Sequence, residues 1–96
     1  MISGQNSRRL VELAFDYVSA EESGQQVAQY RSEAARLATE TTMLEVWFDL
    51  IDYIKTWNSN QEHKYPIGRG SALQFFLTRY TELNPTRQGA RDQDND

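Results

Sequence analysis

The chain has no cysteine, a single histidine and only two prolines. Without cysteine, disulfides, thiolate nucleophiles and cysteine-ligated zinc sites are excluded together. The one imidazole, His63, lies between Glu62 and Lys64 in a polar stretch, where the ordinary reading is a solvent-facing side chain. No Ser/His/Asp order with a local signature can be assembled around it, and no nucleophile elbow is present. No apolar run approaches the roughly 20 residues that cross a bilayer. The opening MISGQNSRRL lacks the apolar core of a secretory signal. These absences lead to the expectation of a soluble, cytoplasmic protein that is not an enzyme and holds no cofactor or metal.

What is present is enough for one folded unit. A hydrophobic content of 39% against 25% charged residues keeps the chain out of the composition range of disordered proteins. At 96 residues it fits a single domain with a thin core, for which dimerisation is a common remedy. The net charge of −4 is unevenly spread. Residues 10–54 hold nine acids against Arg31 and Arg36, whereas residues 55–91 hold six bases against Glu62 and Glu82. Such polarity favours an oriented encounter with a charged partner, or self-association of unlike ends.

The organising stretch is Met43–Trp57, MLEVWFDLIDYIKTW, which contains both tryptophans. Met43, Trp47, Leu50, Ile54 and Trp57 form one apolar row at helical spacing, and Leu44, Phe48 and Ile51 form a second beside it. Glu45, Asp49 and Asp52 fall on the opposite face. Further back, Val27, Tyr30, Ala34, Leu37, Thr41, Leu44, Phe48 and Ile51 continue a seam of alternating gaps of three and four. The unbroken phase favours one continuous or merely bent helix from about Gln25 to Trp57. The alternative is a break at Thr39–Thr42, where Thr42-x-x-Glu45 is a capping box. A continuous helix would reach roughly 50 Å, longer than a compact domain of this size. It would leave apolar surface bare, and therefore predicts a dimer.

The remaining elements are shorter. Residues 1–6 read as a flexible start. A helix capped by Ser7 or Asn6 follows, with Leu10, Val11, Ala14, Tyr17 and Val18 on one face, fading by Ser19 or Ala20. Gly24 favours Ser23, in Ser23-x-x-Gln26, as the start of the next helix. Residues 58–70, NSNQEHKYPIGRG, read as a long polar loop. Ser71 then caps a last helix, Ala72–Leu83, with Leu73, Phe76, Leu77 and Tyr80 inward. Residues 85–96 have almost no apolar content and read as a disordered tail. The fold expected is all-α, an antiparallel helical bundle of three to four helices on a long central helix over residues 7–84, dimeric.

By elimination, the expected function is binding a macromolecule. The first reading is a small acidic protein-binding factor (an adaptor, inhibitor or accessory protein of the kind phages and plasmids encode) acting as a homodimer. Its candidate interface comprises the acidic face, Glu45, Asp49 and Asp52, and the Tyr65–Ser71 segment with Tyr65 and Arg69. Edge aromatics complete it: Phe75, which its neighbour Phe76 displaces from the buried face, and Trp47 or Trp57. The alternative is a dimeric nucleic-acid-binding regulator, in which Lys64, Arg69, Arg79, Arg87 and Arg91 meet phosphates while Tyr65 or Tyr80 stacks on bases.

Overall fold

A computed structural model describes residues 4–83, with side chains from Asn6 onward. Among the described residues there are four helices and no strand: α1 (Gly4–Glu22), α2 (Ala28–Leu37), α3 (Thr41–Ser59) and α4 (Arg69–Leu83). The tail expected over residues 85–96 lies outside the described residues.

The first helix begins earlier and ends later than its sequence signals indicate. Gly4, Gln5 and Asn6, read as part of a loose start, are helical, and Ser7 is a buried residue inside α1 instead of its cap. The end at Glu22 is set by Gly24, whose φ of +74° is a backbone region that glycine enters freely. The Gln25 N–H donates to the Ala20 carbonyl at 2.8 Å, and the Gly24 N–H to that of Glu21 at 3.1 Å. This pair of bonds closes a helix C-terminus around a left-handed glycine. Gly24 therefore stops α1 and does not mark Ser23 as the start of α2, which begins at Ala28.

The expected continuous helix does not form. Ala38 and Glu40 have extended backbone, with ψ of 114° and 160°, and the chain turns between α2 and α3. Neither cap is made by a side chain, so the Thr42 capping box is not what breaks the helix. Packing breaks it instead. Ala34 is buried, and Tyr30, Leu37 and Ala38 pack on the same core that Met43, Val46 and Trp47 enter from α3. A straight rod could not lay both segments against α1, which α2 and α3 each contact. The Tyr80 hydroxyl of α4 donates to the Glu40 carboxylate and fastens the joint from outside. With the rod gone, the argument for a dimer from its excess length no longer applies, although Phe48 of the second apolar row stays 43% exposed on α3.

The core follows the α3 stripe. Met43, Val46, Trp47, Leu50, Ile51 and Ile54 are all buried against Leu10, Leu13, Ala14 and Val18 of α1 and Ala72, Phe76 and Tyr80 of α4. The α4 positions recur every fourth residue, one row of a helix. That helix starts at Arg69, so Ser71 sits inside its first turn and does not cap it. Leu77, expected inward, lies at the rim, 37% exposed. No described helix is long and apolar enough to cross a membrane.

Candidate functional site

Among the described residues, no group of three or more His, Cys, Asp or Glu side chains stands close enough to hold a metal ion. Three regions of the described surface gather charged and aromatic side chains.

The first is the outer face of α3. Glu45, Phe48 and Asp52 are exposed and, at spacings of three and four, share one face. Phe48 is 43% exposed, with one edge against the Trp47 ring at a centroid distance of 5.1 Å. Neither Glu45 nor Asp52 enters an ion pair among the described residues. Asp49, expected beside them, turns toward α4, where the Arg79 Nε donates to it at 3.4 Å.

The second is the start of α4. The Arg69 Nε donates to both carboxylate oxygens of Glu12, at 3.1 and 3.3 Å, and its guanidinium carbon lies 4.4 Å over the Phe15 ring. A shallow groove of about 220 Å³ runs here between Arg8, Val11, Glu12, Arg69, Gly70 and Leu73. Arg69 is thus held by α1 on two sides, and its charge is met within the chain.

The third is the end of α3 with the 60–68 loop. The Trp57 Nε1 donates to the Tyr65 carbonyl at 3.1 Å. The His63 ring stacks on the indole at 3.7 Å with planes 16° apart. Its Nδ1 lies 3.1 Å from the Trp57 carbonyl, which only accepts, so this nitrogen carries the proton. His63 is therefore half-buried against Trp57, not the free loop residue its polar neighbours imply. Tyr53 tilts against Trp57 at 6.2 Å, and Phe75 stacks on Tyr53 at 4.1 Å, 7° from parallel. Tyr65 itself is 78% exposed.

The structure redistributes the expected interface. Trp47 is fully buried, its Nε1 donating to the Leu10 carbonyl at 2.9 Å, so it has no surface to offer a partner. Trp57 and Phe75 are half-buried within the aromatic row, and Arg69 is paired. Glu45, Asp52 and Tyr65 remain exposed. Two residues escaped the sequence reading. The row that holds Phe48 wraps far enough round α3 to bring its ring to the surface. Asn58, whose Oδ1 accepts the Ile67 N–H at 3.1 Å, gives no local signal because its partner is set by the loop's path.

Charge is also paired across elements in a way linear counting misses. Lys55 meets Glu21 at 2.8 Å, and the hydrogen bond from its ammonium, then the carboxylate's charge, raises its pKa above the usual 10.5. Arg36 similarly holds the Glu33 carboxyl below its ordinary value, mainly through their hydrogen bond. Compared with known protein families, curated proteins and solved structures, the chain matches none of them.

Proposed function

We propose that this chain is a small protein-binding factor that works through an interface and not through catalysis. One observation carries the reading: the described bases of the C-terminal half are mostly used inside the chain, while part of the acid is not. Lys55 faces Glu21, Arg69 faces Glu12, and Arg79 faces both Asp49 and Glu82. Glu45, by contrast, meets no base among the described residues, and Asp52 acts on Lys55 only through its charge, without an ion pair; the two flank an exposed aromatic ring on the outer face of α3. A ring between two carboxylates complements a basic protein surface bearing an apolar anchor.

The same pairing weakens the nucleic-acid alternative. Of its described bases, only Lys64 is outside an ion pair, and phosphates would have to displace Glu12 and Asp49 to reach Arg69 and Arg79. The deciding experiment isolates partners from the native source with the tagged chain, identifies them by mass spectrometry and remeasures binding with purified components. Reversing both charges, Glu45→Lys with Asp52→Lys, should weaken binding about tenfold or more and lower its salt dependence. Unchanged affinity removes this face from the interface. A nucleic acid as the sole ligand, lost steeply with salt, restores the alternative.

A further inference from the structure

A surface loop normally loses freedom when it binds, and that loss is subtracted from affinity. The 60–68 loop is already held by the fold. The Glu62 N–H donates to Asn60 Oδ1 at 2.9 Å, and the His63 N–H to the Asn60 carbonyl at 3.1 Å. Beyond them, the Trp57 indole grips the Tyr65 carbonyl and Asn58 grips the Ile67 N–H. The Ile67 side chain is buried in the core, and the His63 ring lies flat on Trp57. Pro66 fixes its own φ and biases Tyr65 toward extended backbone.

All of these contacts hold the backbone or the neighbours of Tyr65. Its own ring is left in water, more exposed than Phe48 or Leu77. Lys64, next to it, is exposed and in no ion pair among the described residues. A fixed chain that displays a tyrosine combines large amphipathic contact area with little entropy left to lose.

We infer that Tyr65 is an anchor residue that enters an apolar slot on a partner protein. The slot's floor carries a hydrogen-bond acceptor for the phenol, and its rim a carboxylate for Lys64. The inference rests on the protein-binding reading above and adds a second contact with its own chemistry. A protein fits better than a single-stranded nucleic acid. Glu62 is exposed two positions from Lys64, and Arg69 is bound to Glu12, so no row of free cations runs beside the ring to follow a phosphate backbone.

The test places the photo-reactive residue p-benzoylphenylalanine at position 65, and separately at position 48, in cells of the native source. Irradiation should join position 65 to a protein. That protein, purified, should bind Tyr65→Ala about thirtyfold or more weakly, with Tyr65→Phe between it and the parent, while the melting temperature of the variant stays unchanged. Asn58→Ala, which removes the acceptor of the Ile67 N–H, should weaken binding several-fold, because the anchor is then no longer held in place. Equal affinity for Tyr65→Ala and the parent overturns the anchor. So does crosslinking to a protein from position 48 alone, which leaves the protein-binding reading intact. Crosslinking only to nucleic acid, or to no protein from either position, overturns both.

Discussion

Trp47 and Trp57 lie ten residues apart on α3 and use the same device, an indole N–H that grips a distant backbone carbonyl. At about 100° per residue they differ by only about 80° around the helix, so both belong to one apolar stripe. Their surroundings are opposite. Trp47 lies under α1, edge-on to Tyr17 at 5.7 Å, and binds the Leu10 carbonyl in the middle of that helix. Trp57 lies beyond Lys55, which already pairs with Glu21 at the last turn of α1. α1 ends one residue later, at Glu22, and it is the 60–68 loop that meets the Trp57 ring, through the His63 ring and the Tyr65 carbonyl. One tryptophan joins helices, and the other fixes a loop for display. The difference comes from where a neighbouring helix stops, not from the residue.

The comparison is sharpest in stability. Trp47→Ala should cost about 3–5 kcal/mol, the range for emptying a large aromatic site in a core, and bring a domain this small close to unfolding. Urea denaturation followed by circular dichroism measures it; a loss under about 1 kcal/mol would place Trp47 outside the core. Trp57→Ala should cost less, about 1–2 kcal/mol, since the ring is only half-buried. Its signature is local: amide exchange at His63 and Ile67 should quicken while the Leu50 and Phe76 amides keep the protection of the global fold. Uniform loss of protection would erase the distinction between the two sites.

The smallest effect concerns the boundary between them. Lys55 has its pKa raised by Glu21, so the pair's contribution is complete below the unfolded value and is lost as pH rises through the higher folded value. Both partners are largely exposed, so Lys55→Met should leave the neutral-pH melting temperature almost unchanged. Above about pH 10.5 the parent should lose slightly more stability than this variant. An unchanged difference across that range would mean the pair does not persist in solution.

Much of the fold is legible in the residues because burial on a helix follows spacing. Met43, Trp47, Leu50 and Ile54 are buried as their row predicts, and so are Leu10, Val11, Ala14 and Val18 on α1. Helix ends are less legible. The Ser7, Ser23, Thr42 and Ser71 cap patterns are each chemically sound, yet none starts a helix where it stands. A cap contributes about 1 kcal/mol, which the burial of two or three side chains overrides. The candidate surface divides the same way. Glu45, Asp52 and Tyr65 are exposed as polar or loop positions suggest, whereas Asp49 and Arg69 are taken by partners 30 and 57 residues away.

By itself, then, the sequence determined that the chain is helical, that the Met43–Trp57 stripe forms its core, and that cysteine chemistry has no part in it. Those follow from local periodicity and from residue types, which need no knowledge of neighbours. Only the tertiary structure decided that the seam bends at residues 38–40, that one tryptophan is sealed and the other half-covered, and which charges remain unpaired. Each of those depends on where a second helix begins or ends, and contacts between segments far apart in the chain leave no mark on the spacing of either.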